Sequence, residues 1–524
     1  MKRIISLVLC LMMIFVSIPT AYSATYKLGD VNNDGYINAK DSLLIRKYIA
    51  GLTSDINETA ADVNGDEDIT FADVLLVRRH LARLITIDRA PISDSYISEI
   101  NISGIDIRNY SIVVPEEADV FTVYAAELLQ DYIDDKSEIE LPIVTDATPE
   151  STFEILIGAT NRAESQRAAA NVQLADDEYL LKKDGVKIVM LGNSYMIGGG
   201  VGKFTYDYLT YNPSLKSQIC NIDDLPTSNA TMSYEPLPAK SAILMIGDGM
   251  GPNHIVGTLA YNAHKVLEPD YTEFSATRLP HMCYVTTYSL TTTQSGGTTP
   301  TDSAASGTAF ACGYKTFNHY IGMNAAKQPV QNIRELAVTL GKRNAIMSTE
   351  LKEGATPAVF LVHHLERTEL ATIGVLEDAV TDCDYIKGDI EENLLSETKY
   401  ALDMLSTNND DGFFTMIEEA RTDTYAHNND RANLIHVMAR FNRAIQYAMV
   451  FTVAHPDTLL VITADHETGG VTAGCGFTTK SHTTTNVQLF AIGSGAENYT
   501  GTIDNTYIPK VIAAEWGITN FGSN

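Results

Sequence analysis

Ser241-Ala-Ile-Leu-Met-Ile-Gly-Asp-Gly-Met-Gly251 is an apolar run that stops in three glycines around one acid and one methionine. Unbroken apolarity over Ser241–Ile246 is the pattern of a strand covered on both faces, the situation of a parallel sheet. An acid at the C-terminal end of such a strand sits where open α/β sheets hold their ligands. The plainer alternative is that Asp248 only caps the next helix. Similar strand ends follow and bear on that choice. Thr458–Thr463 leads into Ala464-Asp465-His466-Glu467. Gly412–Ile417 leads into Glu418, with Asp423 and His427 close behind. Asn344–Thr349 precedes Gly354-Ala355-Thr356-Pro357, and Val487–Ile492 follows Ser481-His482-Thr483. Arg431–His455 reads as a long helix with Leu434, Val437, Met438, Phe441, Ile445 and Met449 inward. Strands that each deliver Asp, Glu, His or Thr at one edge describe cation sites. Two imidazole-bearing sets favour zinc, and an all-oxygen set favours magnesium.

The second informative stretch is Thr301-Asp302-Ser303-Ala304-Ala305-Ser306-Gly307-Thr308. A serine between an aspartate and small residues reads as a nucleophile at the mouth of a helix, where free N–H groups favour an anion. The nearest histidines in sequence are His281 and His319, and no Gly-x-Ser-x-Gly frame is present. A bound metal is then the natural means of activating Ser303.

Together these motifs are specific. Ile246-Gly-Asp-Gly-Met-Gly, Thr301-Asp-Ser-Ala-Ala-Ser, Ala355-Thr-Pro-Ala, Thr463-Ala-Asp-His and Ser481-His-Thr resemble the alkaline phosphatases in kind and order, over about 240–518. The resemblance implies a central, mostly parallel sheet flanked by helices. It implies a first zinc held by Asp423, His427 and His482, and a second by Asp248, Asp465 and His466 with the Ser303 oxygen. Magnesium would be held by Asp248, Thr356 and Glu418. Arg367 stands where this family places its phosphate-gripping arginine, and its fork suits two phosphate oxygens. The implied reaction is hydrolysis of phosphate monoesters through a phosphoserine on Ser303. Two positions depart from the family: Gly354, where relatives carry Asp or His beside the magnesium, and Thr424, where some carry Lys or His.

Residues 28–86 repeat with a period of 32. Asp30, Asn32, Asp34 and Asp41 recur as Asp62, Asn64, Asp66 and Asp73, and each set leads into an amphipathic helix. Oxygen ligands at positions 1, 3, 5 and 12 of a loop suit calcium. The arrangement resembles a type I dockerin, an all-α module that folds around two calcium ions and docks on a cohesin of a cellulosome-like scaffold. Gly35 takes the tight-turn position of the first loop; Glu67 stands there in the second.

The chain has 524 residues, 45% hydrophobic and 20% charged, with a net charge of −29. Such a balance disfavours nucleic acid and anionic membrane surfaces as partners. Met1–Ser23 reads as a secretory leader: Lys2 and Arg3, an apolar run from Ile4 to Ile18, and Ala21-Tyr22-Ser23 before Ala24. An extracellular location with no membrane anchor is therefore expected. Cys220, Cys283, Cys312, Cys383 and Cys475 are scattered, read as buried apolar residues with room for one bridge.

Residues 95–232 read as a small α/β domain of unassigned role. It has strands at Ser111–Pro115, Pro142–Asp146 and Phe153–Ile157, a helix over Phe121–Lys136, and a hairpin around Asp184-Gly185. Gly198-Gly-Gly-Val-Gly-Lys203 lacks the first glycine and the Ser/Thr of a phosphate loop, so it reads as a turn opening a helix. Pro226–Pro238 reads as a linker, and 240–524 as the catalytic domain. The rival functions are a phosphodiesterase or other hydrolase of the same superfamily, and a non-catalytic scaffold-bound binding protein. Sulfatases are disfavoured because Ser303 is not followed by x-Pro-x-Arg. The family resemblance leaves a homodimer open.

Overall fold

The computed structural model describes residues 96–523 apart from 138, 210, 212–216, 371–381 and 408, together with Val31 and residues 56–61. The leader and all eight calcium-loop positions (Asp30, Asn32, Asp34, Asp41, Asp62, Asn64, Asp66, Asp73) lie outside the described residues. Two compact units are present, Met1–Ser98 with Tyr211–Gln218 and Glu99–Thr210 with Ile219–Asn524. In the first, Asn57 N–H donates to the Val31 carbonyl at 2.8 Å. The Asn57 side chain accepts from Ala60 N at 3.1 Å, opening the short helix Glu58–Ala61.

The second unit holds two α/β layers. The smaller sheet contains β1 (Ser111–Val114), β2 (Ile143–Thr145), β3 (Glu154–Ile157), β4 (Glu178–Asp184), β5 (Lys187–Gly192) and β6 (Met232–Ser233) in the order β2-β1-β3-β5-β4-β6. Helix α1 (Val120–Ser137) covers it, as does α3 (Ile197–Lys203); α2 (Ala163–Asn171) follows β3. The hairpin expected around Asp184-Gly185 forms, with Asp184 opposite Lys187.

The larger sheet is built on β7 (Ser241–Gly247), in which every residue is buried. Its other strands are β8 (His281–Thr286), β9 (Arg343–Ser348), β10 (Tyr385–Lys387), β11 (Phe413–Glu419), β12 (Thr458–Thr463), β15 (Val487–Ile492) and β16 (Thr502–Asp504). Their order is β10-β9-β11-β7-β12-β15-β8-β16. β15 runs antiparallel to both neighbours, and the other pairs are parallel. Ile246 lies opposite both Glu418 and Thr463, and Ser348 opposite Glu418. This register brings the C-terminal ends of β9, β11, β7 and β12 to one edge. The helices used below are α4 (Pro252–Lys265), α5 (Ser303–Cys312), α6 (Ile333–Thr339), α7 (Ala355–Leu361), α8 (Leu394–Ser406), α9 (Arg421–His427), α10 (Arg431–Ala454) and α11 (Ile508–Glu515). A two-stranded ladder pairs β13 (Glu467–Thr468) with β14 (His482–Thr483).

Helix α10 ties the layers together. The expected inward face is buried, but so are Ile435, Tyr447, Ala448, Val450, Phe451 and Val453 on its other sides. The cause is that α1 and α3 of the smaller layer pack on it from one side and α4, α8 and β12 from the other. Gly198, Gly199, Gly200 and Gly202 are not a turn, contrary to expectation; they lie inside α3. A Cβ on Gly198 would come within 2.6 Å of the Val450 carbonyl oxygen, and one on Gly202 within 2.6 Å of that of Ala454. The glycines therefore let two helix backbones touch. Pro226–Pro238 also departs from a free linker. Lys183 N donates to the Pro226 carbonyl, Met232–Ser233 joins the smaller sheet, and Leu237 N donates to the Pro456 carbonyl at 2.9 Å. The five described cysteines form no bridge; Cys383 is half-buried and the others are buried. Among the described residues no helix is long and apolar enough to cross a membrane.

Candidate active site and metal centre

Ser303 opens α5. The Asp302 carboxylate accepts from Ala305 N at 3.0 Å, the N-cap that a short acidic side chain makes most readily. The helix is pinned again by Ser306, whose hydroxyl donates to the Asp465 carbonyl at 2.6 Å and accepts from Asn505 at 3.0 Å. Ser303 is buried, and its Oγ lies 3.2 Å from His466 Nε2.

Two clusters of ligand-type side chains are present, one of them containing His466. Asp248, Asp465 and His466 are all buried, and each contributes one ligand-type atom within 4.8 Å of the others. His466 Nε2 is 3.1 Å from Asp465 Oδ2 and 3.7 Å from Asp248 Oδ1. Asp423, His427 and His482 form the second group, within the same 4.8 Å span. The Asp423-x-x-x-His427 spacing places both residues on one face of α9, 3.3 Å apart. His482 arrives from β14, its Nε2 3.1 Å from His427 Nε2. His427 Nδ1 faces the Lys480 carbonyl at 2.5 Å, and His482 Nδ1 faces the Thr301 carbonyl at 2.9 Å. Each Nδ1–H donates to a carbonyl, which leaves both Nε2 lone pairs directed at one point. Two lone pairs at that distance repel unless a proton or a metal ion is shared between them.

A third set is made only of oxygen. Thr356 opens the buried helix α7, and Glu418 lies on β11 beside the ends of β7 and β9. Asp248 Oδ1 and Asp465 Oδ2 are buried without a hydrogen-bond partner among the described residues, and the buried Thr356 hydroxyl and Glu418 carboxylate interact with each other. Orphaned oxygens at this density are costly unless they face a cation. The donor sets thus fit two ions of the zinc type and one of the magnesium type.

Burial, with Asp465 close by, pushes the Asp248 carboxyl far above the ordinary range. Burial and the neighbouring Glu350 do the same to Glu418. Desolvation raises the half-buried Asp423, but the hydrogen bond with His427 and the nearby His466 and His482 more than offset this and hold it low. Burial pushes His466 down to about 4, so its ring is neutral.

Arg367 begins a 3-10 turn, and its Nη1 lies 3.4 Å from Asp302 Oδ2. The same oxygen accepts from His319 N at 2.9 Å, and the His319 carbonyl accepts from Arg367 N. The acid that caps the Ser303 helix therefore also orients the arginine.

Several supporting residues carry no sequence signal of their own. Thr468 Oγ1 donates to Asp423 Oδ1 at 2.5 Å, and Ser348 Oγ to Glu418 Oε2 at 2.5 Å. Glu419, one residue past Glu418 and on the opposite face of β11, pairs with Arg440 of α10. Single hydroxyls have no period to reveal them. Glu350, beyond the predicted strand end at Thr349, could have been noticed as one more acid at that edge.

Comparison with known proteins agrees in kind. The family model described as Alkaline phosphatase matches residues 239–398 and 373–476, and that of the Dockerin type I domain matches 28–82. Alkaline phosphatase 4 of Bacillus subtilis (strain 168) is 28% identical over 301 residues, covering 45% of this chain and 63% of that protein. The alkaline phosphatase of Schizosaccharomyces pombe is 27% identical over 312 residues, covering 45% and 57%. The chain thus spans about three-fifths of the length of these relatives. The structure of alkaline phosphatase from the Antarctic bacterium TAB5 aligns with a TM-score of 0.45 at 24% identity, covering 53% of this chain and 98% of that one. Residues 239–476 of this chain are an alkaline phosphatase family domain, and residues 28–82 a type I dockerin domain.

Proposed function

We propose that the protein hydrolyses phosphate monoesters, with Ser303 as nucleophile, while its dockerin holds it to a scaffold. The observation that carries this reading is the Ser303 hydroxyl at a helix mouth, 3.2 Å from His466 Nε2, next to Asp302, whose carboxylate accepts from Arg367 Nη1 at 3.4 Å. Asp423, His427 and His482 would hold one zinc, Asp248, Asp465 and His466 the second, and Asp248, Thr356 and Glu418 magnesium. When bound, these ions supply Lewis-acid charge at the serine, the leaving oxygen and the phosphoryl group.

The protein's own groups do the rest. Asp302 fixes the first turn of α5, so the Ser303 Oγ and free N–H groups meet the anionic phosphoryl group together. Oγ forms a bond to phosphorus as its O–H bond and the P–O ester bond break in line; the serine proton ends on the departing alcohol, and water then cleaves the phosphoserine to inorganic phosphate and a restored hydroxyl. Arg367 is kept at the site by Asp302 and spans two equatorial oxygens with its fork. His466 stays neutral because it is buried, so it acts as a lone-pair donor and not as an acid.

Turnover of an aryl phosphate monoester beside the matching diester tests the reading. Strong preference for the monoester, lost in Ser303→Ala, supports it; a Ser303→Ala protein that keeps most activity rejects it. Purified protein should contain about two zinc per chain, as a two-metal phosphoryl site needs.

The dockerin match supports two further proposals: calcium in the loops carrying Asp30, Asn32, Asp34, Asp41 and Asp62, Asn64, Asp66, Asp73, and docking on a cohesin of a cellulosome-like scaffold outside the cell. Calcium chelation should abolish cohesin binding, and unchanged binding would reject the docking role.

A further inference from the structure

His319 holds a backbone conformation that its residue type resists. Its φ is +76°, in the left-handed region, where a Cβ is crowded by the following carbonyl. The imidazole is exposed, so packing of the side chain does not force this geometry. Such a conformation persists only where its surroundings over-determine it.

Those surroundings are the groups next to Ser303. His319 N donates to Asp302 Oδ2 at 2.9 Å, and the His319 carbonyl accepts from Arg367 N at 3.1 Å. Through its backbone alone, one residue touches both the acid beside Ser303 and the arginine whose Nη1 lies 3.4 Å from that same oxygen. The side chain adds a third tie. His319 Nδ1–H donates to Glu366 Oε1 at 3.0 Å, and that oxygen also accepts from Thr368 N at 3.2 Å and Thr368 Oγ1 at 2.9 Å. The residues that follow are anchored on both flanks. Ile321 and His364 exchange two backbone hydrogen bonds of 2.8 Å. Thr308, buried in α5, donates to the Tyr320 carbonyl at 3.0 Å and accepts from Gly322 N at 2.9 Å. Residues 319–322 therefore form a strap from the serine helix to the turn that carries Arg367. The backbone dihedrals of His319 set its N–H against its carbonyl, and a negative φ would turn one of them away from its partner.

We infer that His319 is a positioning residue for phosphate binding, whose left-handed backbone joins Asp302 to Arg367 and so aims the guanidinium at the phosphoryl group beside Ser303. His319 itself touches no phosphate. The inference rests on the roles proposed above for Ser303 and Arg367, and it adds that the arginine's grip is set by a strained residue on a different segment.

The test uses the full chain, loaded with zinc, magnesium and calcium. Equilibrium binding of inorganic phosphate is measured, with KM and kcat for an aryl phosphate and the melting temperature alongside. Four variants grade the tolerance for a left-handed backbone: Gly and Asn adopt it readily, Ala less so, and a β-branched residue worst. His319→Val should weaken phosphate binding at least about ten-fold, as loss of a charge-assisted contact does, and raise KM more than it lowers kcat. His319→Ala should fall between, and His319→Asn and His319→Gly should bind phosphate nearly as the unaltered protein does. In an Arg367→Ala protein the same His319→Val change should cost less than about two-fold, because the group it positions is gone. If His319→Val does not fold, His319→Ala against His319→Asn makes the same comparison.

Equal phosphate affinity across the series would overturn the inference, and so would equal losses in the Gly and Val variants, which would point to the imidazole instead. A His319→Val loss undiminished without Arg367 would overturn it as well. An unaltered protein that binds phosphate in the expected variant order but cleaves no monoester would overturn the proposed function and leave this inference standing. An unaltered protein that binds no phosphate would overturn both.

Discussion

Arg440 donates to Glu419 twice, Nε to Oε2 at 2.7 Å and Nη2 to Oε1 at 2.8 Å, clamping α10 to the end of β11. Glu419 is fully buried and Arg440 nearly so. Glu418, the next residue back, lies on the other face of the strand. The clamp thus fixes the strand end that carries Glu418. Removing one partner of such a pair strands a buried charge. Arg440→Met should cost roughly 3–5 kcal/mol in denaturant unfolding, and adding Glu419→Gln should recover much of it. A single variant within about 1 kcal/mol of the unaltered protein would show that the pair contributes little.

Thr468 orients Asp423 through a 2.5 Å hydrogen bond. Thr468→Val keeps the shape and removes the donor, leaving Asp423 free to turn between His427 and His482. Zinc affinity at that cluster should fall about 10–100-fold, read by competition with a chelator. Thr468 Oγ1 also lies 3.3 Å from His466 Nδ1, so the Asp248 cluster should weaken too, but less, and one zinc per chain should be lost ahead of the other.

Gly202 tests helix contact against helix propensity. In an open helix, Gly→Ala stabilises by about 1 kcal/mol. Here the new Cβ would meet the Ala454 carbonyl oxygen at 2.6 Å, on backbone that cannot step aside easily. Gly202→Ala should therefore destabilise, by about 1–3 kcal/mol, while turnover per folded molecule stays the same. The sign of the change in melting temperature decides between the two effects.

His254 gives the unfolding curve part of its acid slope. The ring is fully buried, its Nδ1 accepts from Gly251 N at 3.1 Å, and burial pushes its pKa down to about 3. Because the folded value is below the ordinary one, the native ring stays neutral while the unfolded chain takes up a proton below about pH 6.5. Its contribution is complete above that pH and is lost as pH falls toward 3, about 2 kcal/mol by pH 5. His254→Asn keeps an acceptor for Gly251 N and cannot titrate there. It should flatten the fall in stability between pH 6.5 and 5 by that amount.

The larger sheet was legible because its strands are wholly apolar and end in chemistry. Ser241–Ile246, Thr458–Thr463 and Val487–Ile492 were expected almost to the residue. Asp423 and His427 were visible as an acid and an imidazole just past a strand end, and His482 and Asp465-His466 as motifs. What escaped was whatever depends on a partner far along the chain. The glycines of α3 look like a turn until Val450 and Ala454 are seen against them. Pro226–Pro238 looks like a linker because its hydrogen bonds go to Asp177, Lys183 and Pro456, none of them nearby. Arg440 was overlooked because a charged residue in an apolar helix gives no hint of the strand it serves.

Helix α10 bears on where this chain can be divided. The stretch that matches the phosphatase family begins at residue 239, yet Tyr447, Val450 and Ala454 face α1 and α3, which come earlier. Cutting the chain at the start of the match would lay bare an apolar stripe along one side of a 24-residue helix whose other side supports the catalytic sheet. Residues 99–210 thus act as the missing half of α10's burial, and the smallest excisable enzyme begins with them, not with the first catalytic motif.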